Sequence, residues 1–501
     1  MNAATTSSWR ITLPVTAVFA ALVFAGLLHH EMWLDETHHW LLGNDSHSLR
    51  ELLHNARYEG HPPLWNLLLY TLSTFTQHPF AMQVLNGIIA TTAVLLFVHR
   101  APLPVMLRVA TTFSYFIFYE YGIISRNYAL VFLLLVIVAL LFPERQKRFF
   151  LFCFVLLLLA STHLFATVFS GMLFLLVMIE RRQTGIRNGI WGAVVFFLGM
   201  IGIILLSIPP RDHFLYSYDE LPLLSPARIG KALSMPWKGF FPLVDFRSRY
   251  PWNSNLLTSL PKIFSIVPAL LAWCIPFLVL KKKRSLLLFF GSTIVIVAFC
   301  WWSPMVVSAR HCGFLFLLLL ICRWMENYFP EEPLRHPLLV RTNKLATPAW
   351  ILLLSVQLFA SAILYRTDWQ RPFSEGKAVA DYLRSYNGLI VLSAHYTGPP
   401  VSAYLGRPLY YPEYESEGTF CHWNANPFMI TADTLLQRSV RVMEQRHCDS
   451  LVLVTDRPVS TVDLSQKRKE FELLQLTSFT DAMVRAENYY VYRLRKRKFI
   501  P

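Results

Sequence analysis

Long apolar runs separated by short polar breaks dominate the first 365 residues. Runs such as Tyr128–Phe142, Phe149–Ala160 and Ile190–Ile208 contain no charged residue and approach or reach the length that crosses a hydrocarbon core of roughly 30 Å. A hydropathy window of about 19 residues therefore predicts about eleven spans, at residues 11–29, 80–98, 104–119, 128–142, 149–162, 163–180, 188–208, 260–280, 285–302, 310–325 and 346–364.

The apolar stretch Leu64–Phe75 decides the predicted topology. If it crossed the membrane, the basic breaks Arg145–Arg148, Arg181–Arg187 and Lys281–Arg284 would all face outward, against the positive-inside rule. We therefore expect Leu64–Phe75 to lie in the interface or to re-enter, within a first outer loop at 30–79. The N-terminus is then cytoplasmic, and a second large outer loop occupies 209–259.

The last part of the chain has a different pattern. Amphipathic segments at Lys377–Tyr386 and Leu435–Arg446 alternate with strand-like runs at Leu389–Leu392, Leu451–Val454, Phe471–Phe479 and Tyr489–Leu494. The sequence thus predicts a membrane module at 1–365 and a soluble periplasmic α/β domain at 366–501.

Composition and charge support a multi-pass membrane protein. The chain is 54% hydrophobic and 15% charged, with a mean hydropathy of +0.41, which is more apolar than a soluble domain of this size. Because its net charge of +15 is concentrated in the basic breaks, topology accounts for that charge and nucleic-acid binding is not predicted. Cys421 and Cys448 are the two cysteines of the hydrophilic tail; a disulfide between them stays open.

The first outer loop begins with a run of acidic and aromatic residues, from Trp33 to Trp40. Its adjacent acids Asp35 and Glu36 stand where an apolar wall meets water, and partial desolvation there would raise the pKa of a carboxylate and strengthen it as a base. An ordinary solvated pair of interfacial acids is the alternative. Arg57 and His61 follow, with two prolines that force an extended approach to Leu64–Phe75.

Further polar residues lie at the predicted outer ends of later spans. Glu120, Arg126 and Tyr128 surround the start of one span, and Arg310 stands at the start of another. An arginine at such a position either snorkels to water or binds an anion. Two arginines on the face that holds the carboxylates suggest a phosphate site. The further candidates on this face are His163 and His311.

The order of these motifs resembles the GT-C glycosyltransferases. Asp35-Glu36 after the first span, His61-Pro62-Pro63-Leu64, and then Arg126 with Tyr128-Ala129-Leu130 are most similar to the protein O-mannosyltransferase and aminoarabinose-transferase type, glycosyltransferase family 39. The resemblance covers roughly residues 10–365. It implies an all-α polytopic membrane fold with in-plane helices in the first outer loop.

The resemblance also implies a reaction. A sugar carried on a polyprenyl phosphate would pass to an envelope acceptor, a glycan, lipid or protein, at the periplasmic face of the bacterial inner membrane. Asp35 would be the catalytic carboxylate, with Glu36 beside it, and Arg126, Arg310 and Tyr128 would bind the donor phosphate. Arg57, His61, Glu120, His163 and His311 are the remaining substrate-site candidates.

Two other classes of function remain open from the sequence. A transporter or lipid flippase also has many spans, although it usually places ionisable residues near the bilayer midplane. A non-catalytic envelope assembly protein would work through its outer domain. The histidines His38, His39, His61, His163 and His311 lack a strong metal spacing. A divalent cation is therefore conceivable, but neither a metal site nor another cofactor is predicted.

Overall fold

The computed structural model describes residues 8–184, 190–214, 222–259, 262–303, 307–330, 343–424, 429–459 and 470–497. Within these ranges, five helices are long and apolar enough to cross a membrane: Trp9–His29, Phe80–Arg100, Leu164–Thr184, Lys283–Trp302 and Ala346–Gln370. Shorter apolar helices are Tyr128–Leu141, Phe149–Ala160, Ile190–Leu206 and Ala309–Met325. The chain is thus a helix-rich membrane protein, but the predicted count of about eleven spans is not confirmed.

Two predicted spans are interrupted. The 104–119 segment is an α-helix, Val105–Thr112, followed by a π-helical turn, Tyr115–Glu120. The 260–280 segment, whose first two residues lie outside the described ranges, contains the helices Lys262–Ala272 and Ile275–Val279. Proline explains the second interruption, because Pro276 lies in the first turn of the new helix, where its missing N–H is tolerated.

The predicted first outer loop, residues 30–79, is mostly helical. Its helices are Leu34–Asp45, Leu49–Ala56 and Leu64–Ser73, with a 3-10 turn at Arg57–Glu59 that Gly60 ends at φ +62°. Leu64–Ser73 has 10 residues, and such a helix is about 15 Å long, half of what a span needs. It lies against Leu34–Asp45 so closely that a Cβ on Gly43 would stand 2.9 Å from the Tyr70 backbone nitrogen.

The described residues of the predicted second outer loop, 209–259, contain two short helices. Pro226–Leu233 and Met235–Phe240 follow one another, and Met235–Phe240 packs along Ala309–Met325. A 3-10 turn at Leu256–Ser259 closes the loop. The segment between them brings Trp252 and Asn253 to the start of the Ala309–Met325 helix.

The described residues of the C-terminal part form a six-stranded mixed sheet in the order β3-β2-β1-β4-β6-β5. Its strands are β1 (Ile390–Ser393), β2 (Leu409–Tyr411), β3 (Ser416–Gly418), β4 (Ser450–Thr455), β5 (Phe471–Phe479) and β6 (Tyr489–Lys496). β1 pairs in parallel with β2 and β4, and the other pairs are antiparallel. The helices of this part are Gly376–Leu383, Gly398–Leu405 and Ala432–Gln445.

Alternating side chains of the central strands bury both faces of the sheet. Val391 and Leu453 belong to the same buried cluster as the Ala432–Gln445 helix, whereas Ile390, Leu392 and Val452 pack with the other two helices. The strands predicted for β1, β4, β5 and β6 are present. Two strands of three residues each and the Gly398–Leu405 helix were not predicted, since Gly398-Pro399-Pro400 is typical of a loop, yet proline is compatible with a first helical turn. The domain boundary at 365/366 stays a prediction.

The C-terminal part packs directly against the predicted first outer loop. The Gly398–Leu405 helix packs on Leu34–Asp45, and the Tyr404 hydroxyl accepts a hydrogen bond from the Met32 backbone N–H at 2.8 Å. Residues of the C-terminal part therefore lie beside the helix that carries Asp35.

Candidate active site

Asp35 forms ion pairs with both predicted arginines. Its Oδ2 atom lies 2.8 Å from Arg126 Nη1 and 2.5 Å from Arg310 Nη1. The three side chains are largely buried, with 17%, 8% and 14% of their surfaces exposed. Three residues that are distant in the sequence therefore form one charged cluster.

Helix ends position these three side chains. Asp35 lies in the first turn of Leu34–Asp45, Arg126 stands just before Tyr128–Leu141, and Arg310 is the second residue of Ala309–Met325. Arg126 Nη1 also donates to the Asp35 carbonyl oxygen at 3.1 Å. The backbone of Arg310 is fixed on both sides, because its N–H donates to Asn253 Oδ1 and its carbonyl accepts from the Tyr121 hydroxyl.

The arginines reverse the expected effect of burial on Asp35. Burial alone would raise the pKa of this carboxyl, but the neighbouring Arg310 and Arg126 outweigh burial and hold it below its ordinary value. The raised pKa expected from the sequence is therefore wrong for this arrangement. Each arginine keeps donor capacity, since the Nε atoms of Arg126 and Arg310 are buried without a hydrogen-bond partner among the described residues.

Trp33 covers one side of the charged cluster. The Arg310 guanidinium carbon lies 5.2 Å from the centre of the Trp33 ring, within the range of a cation–π contact. Trp33 in turn packs edge-on against Trp252 at 5.0 Å, and Trp252 against Phe373 at 4.8 Å. All three rings are buried, so Arg310 borders an apolar aromatic cluster.

Glu36 points away from Asp35 into a buried network. Its Oε2 atom lies 2.9 Å from His30 Nε2, and its Oε1 atom accepts the Ser125 backbone N–H at 2.6 Å. The side chain is fully buried. This geometry favours a positioning role for Glu36, which ties the Asp35 helix to the turn that holds Arg126, over the catalytic role expected from the sequence.

His30 and Asp368 are two site-supporting residues that the sequence did not indicate. His30 Nδ1 lies 2.8 Å from Asp368 Oδ2, and the Tyr119 hydroxyl donates to the same carboxylate at 3.2 Å. Burial lowers the pKa of His30, but Asp368 and Glu36 more than offset this effect and raise it to about 10. A protonated imidazole therefore joins the last long helix to the first outer loop.

Glu59 forms a second missed network. Its carboxylate lies 2.6 Å from His38 Nε2, 3.5 Å from His39 Nε2 and 2.6 Å from Trp423 Nε1. Burial would raise the pKa of Glu59, but His38 and the other partners hold it well below its ordinary value. The residue stands between the predicted site residues Arg57 and His61 in the sequence, whereas its partner Trp423 lies in the tail.

Three predicted histidines and Tyr128 lie close together. His61, His163 and His311 each offer a ring nitrogen within 4.8 Å of the others. The Tyr128 ring lies 5.2 Å from His163 and 6.4 Å from His311. Arg126 and Arg310 interact electrostatically with His61, so this group adjoins the charged cluster.

Arg57 and Glu120 lie at the margin of the site. Arg57 ends the Leu49–Ala56 helix, and its Nε atom is buried without a partner among the described residues. Glu120 is buried in the π-helical turn, where its Oε2 atom accepts the Tyr115 hydroxyl at 2.7 Å. Glu120 is therefore anchored by Tyr115, and it interacts electrostatically with Arg310.

The two tail cysteines do not form a disulfide in this structure. Cys421 is buried and its backbone N–H donates to His38 Nδ1 at 3.1 Å, whereas Cys448 is partly exposed beside the Ala432–Gln445 helix. Cys421 thus links the tail to the first outer loop through its backbone.

Two solved structures are similar to this chain over nearly its whole length. The crystal structure of ArnT from Cupriavidus metallidurans in the apo state has 12% identity and a TM-score of 0.49, over 96% of this chain and 97% of that chain. The cryo-EM structure of the arabinofuranosyltransferase AftD from Mycobacteria has 13% identity and a TM-score of 0.41, over 98% of this chain and 40% of that chain.

Both structures are GT-C glycosyltransferases, the group that the sequence motifs resemble. At these identities and TM-scores they assign neither a substrate nor a residue role to this chain. The sequence matches no protein-family model and no curated protein. The assignment of a reaction to this site therefore rests on the residues of this chain.

Proposed function

We propose that this chain is a membrane glycosyltransferase that moves a sugar from a polyprenyl-phosphate donor to an envelope acceptor, a glycan, lipid or protein. The observation that carries the proposal is the pairing of Asp35 with Arg126 and Arg310, at 2.8 Å and 2.5 Å. One carboxylate beside two guanidinium groups is the chemistry that a transfer from a phosphate leaving group needs.

The two arginines bind the donor phosphate. A guanidinium presents a planar fork of donors that matches phosphate oxygens, and it stays charged at any physiological pH. As the bond between the sugar and the phosphate oxygen breaks, negative charge grows on that oxygen. Arg126 and Arg310 stabilise this charge, so the leaving group needs no proton.

Asp35 acts as the base. The acceptor hydroxyl gives its proton to the Asp35 carboxylate while its oxygen bonds to the anomeric carbon. The bond to the phosphate oxygen breaks in the same displacement and its electron pair leaves with the phosphate, so the configuration at the sugar inverts.

Donor binding also changes the pKa of Asp35. While the arginines pair with Asp35, they hold its pKa low and make it a weak base. A phosphate that takes over part of their charge weakens this effect, so the carboxylate becomes more basic when the donor is present. Asp35 is thereby activated only with a donor in the site.

The proposed location is the outer, periplasmic face of the bacterial inner membrane. The N-terminus is cytoplasmic, and the residues after 365 are periplasmic. This assignment follows from the basic breaks between apolar helices and from the shortness of Leu64–Ser73. A lipid-linked donor suits this face, because the sugar arrives with its own membrane anchor.

The test is an in-vitro transfer assay on purified full-length protein, with extracted membrane lipids as donor and acceptor source. We expect Asp35→Asn to reduce transfer at least about 100-fold, since a positioned base contributes that much or more, and Arg126→Ala to reduce it as well. Asp381→Asn, at an exposed ion pair of the tail, is the matched control and should transfer normally. Full transfer by Asp35→Asn at normal protein levels would overturn the proposal and favour a transporter, a flippase or an assembly protein.

A further inference from the structure

Three histidines, of which His163 and His311 are buried, meet beside the Asp35 cluster. We call His61, His163 and His311 the histidine cluster; one ring nitrogen of each lies within 4.8 Å of the others. His163 and His311 are 1% and 6% exposed. Three converging imidazoles are usually interpreted as a metal site. A ring nitrogen that carries a proton cannot bind a metal ion, so the protonation state of these nitrogens decides what the cluster binds.

His163 is fixed by the helix that follows it. Leu164–Thr184 begins directly after His163, and the Phe165 backbone N–H donates to His163 Nδ1 at 3.1 Å. The side chain thus acts as the cap of its own helix. Because Nδ1 accepts a hydrogen bond, the proton of the neutral ring sits on Nε2, and that atom is buried without a partner among the described residues.

His311 is fixed in the same way at another helix. It is the third residue of Ala309–Met325, and the Ser308 backbone N–H donates to its Nδ1 atom at 3.2 Å. The Ser308 hydroxyl lies 2.7 Å from the same nitrogen. A residue at this position that accepts the N–H of the capping residue completes a capping box, and histidine takes here the part that Glu or Gln usually plays. Its Nε2 atom therefore also carries the ring proton.

These two tautomers disfavour the binding of a metal cation. A metal ion binds a neutral imidazole through a nitrogen lone pair, and the other nitrogen must then carry the proton. For His163 and His311, binding through Nε2 would place an N–H on Nδ1 opposite a backbone N–H, so each helix would lose its cap. His163 and His311 therefore offer hydrogen-bond donors, and donors bind anions.

The surroundings of the cluster are positive as well. The helices Tyr128–Leu141, Leu164–Thr184 and Ala309–Met325 all begin here, and helix N-termini carry partial positive charge. Arg126 and Arg310 both interact electrostatically with His163. The nearest carboxylates are already engaged, Asp35 with these arginines and Glu59 with His38.

We propose that the histidine cluster is a phosphate-binding site, in which the Nε2–H groups of His163 and His311 donate to the oxygens of the donor lipid's phosphate, and not a divalent-cation site. The inference rests on the proposed function, since it takes the phosphate to be that of the lipid-linked sugar. It assigns these histidines a binding role beside the arginines, and it gives the buried Nε2–H of His163 its missing acceptor.

The experiment compares matched substitutions at His163. His163→Gln keeps a donor near the Nε2 position, whereas His163→Phe keeps the ring shape and removes both nitrogens. Full-length protein in detergent is titrated with undecaprenyl monophosphate, with undecaprenol and with inorganic phosphate, and binding is followed by thermal stabilisation. We expect the lipid phosphate to bind wild type and His163→Gln similarly, His163→Phe about tenfold or more weakly, and undecaprenol to stabilise none of them in a His163-dependent way.

The remaining outcomes also decide the proposal. His163-dependent binding of inorganic phosphate alone would support the phosphate site with a free anion as its source. Equal binding of undecaprenyl monophosphate by wild type and His163→Phe would overturn the proposal. So would one equivalent of Zn²⁺ or Mn²⁺ that remains on wild type after gel filtration and is lost from both His163→Gln and His163→Phe.

Binding and catalysis are separated by Asp35→Asn. This variant should lose transfer and still bind undecaprenyl monophosphate in a His163-dependent way. If transfer does not depend on Asp35 while this binding persists, the proposed function fails and the phosphate site stands. If transfer depends on Asp35 but phosphate binding does not depend on His163, the histidine assignment fails and the proposed function stands.

Discussion

Glu487 accepts a hydrogen bond from the Leu34 backbone N–H at 2.8 Å, so a residue 453 positions along the chain caps the helix that carries Asp35. Burial raises the pKa of Glu487 to about 8, although hydrogen bonds from Ser374 and Leu34 lower it. At neutral pH the carboxyl is therefore mostly protonated. The capping contact makes the tail part of the structure that supports the helix carrying Asp35.

The raised pKa of Glu487 predicts a pH dependence of stability. The folded carboxyl holds its proton up to about pH 8, whereas the unfolded one releases it near pH 4.3. The contribution of the protonated Glu487 carboxyl to the free energy of unfolding is fully present below the unfolded pKa. It is lost as pH rises through about 8, by at most about 1.4 kcal/mol per pH unit. Thermal unfolding of wild type and Glu487→Gln between pH 5.5 and pH 8.5 checks this: we expect the Tm of the variant to change less with pH. Parallel curves would show that Glu487 does not titrate in this range.

The proposed role of Arg310 predicts that a positive charge alone does not suffice at this position. Arg310→Lys keeps a positive charge beside Asp35 but loses the fork that can hold two phosphate oxygens. We expect its KM for the lipid-linked donor to rise and its transfer rate to fall, together by roughly tenfold or more. Initial rates over a range of donor concentrations measure both. Arg148→Lys, at an ion pair whose arginine side chain is 60% exposed, should match wild type; an unchanged KM in Arg310→Lys would remove Arg310 from the donor site.

The His30–Asp368 pair predicts a stability difference between buried and exposed ion pairs. Asp368→Asn leaves a buried protonated imidazole with one carboxylate partner fewer, a change that costs about 3–5 kcal/mol. Asp381→Asn breaks an exposed pair with Lys377 and should cost less than about 1 kcal/mol. Because the pKa of His30 is raised to about 10, this stabilisation is fully present below about pH 6.5 and is lost only as pH rises through about 10. Tm values at pH 7 in one detergent compare the two variants, and equal losses would contradict the buried pair.

The sequence predicted those site residues that stand at the ends of apolar runs. Asp35, Arg126 and Arg310 were accessible to this reasoning, because a charge at the edge of a span needs a reason. The partners of Glu36 were not, since His30 and Ser125 become neighbours only when the first helix, the outer loop and the π-helical turn pack together. The Glu487–Leu34 contact is still less visible, because short-range patterns carry no signal for a pair so far apart.

Two expectations from the sequence differ from the structure: the pKa of Asp35 and the continuity of the helix at 104–119. Desolvation at the outer loop was expected to raise the pKa of Asp35, but the pairing with two arginines reverses the direction. The 104–119 run is apolar enough for one span, yet the backbone changes from α-helix to π-helix after Thr112. Hydropathy records the solvent of a segment and not the hydrogen-bonding pattern of its backbone.

The proposed topology predicts which side of the membrane each loop faces. Arg50 is exposed in the first outer loop, Lys147 in the break after Tyr128–Leu141, and Glu444 on the Ala432–Gln445 helix. Single cysteines at these positions, in a background that lacks the exposed Cys274 and the partly exposed Cys448, are treated with a membrane-impermeant maleimide on intact spheroplasts. We expect Arg50→Cys and Glu444→Cys to be labelled at once, and Lys147→Cys only after the membrane is permeabilised.

The pattern of labelling identifies the assumption that fails, if one does. Labelling of Lys147→Cys and Arg50→Cys on intact spheroplasts, with Glu444→Cys protected, would mean that Leu64–Ser73 or a neighbouring segment crosses the membrane and moves every later loop. Protection of Arg50→Cys and Glu444→Cys, with Lys147→Cys labelled, would invert the whole chain. In that case Asp35 and both arginines would face the cytoplasm, where nucleotide sugars are available, and the requirement for a lipid-linked donor would lose its physical basis.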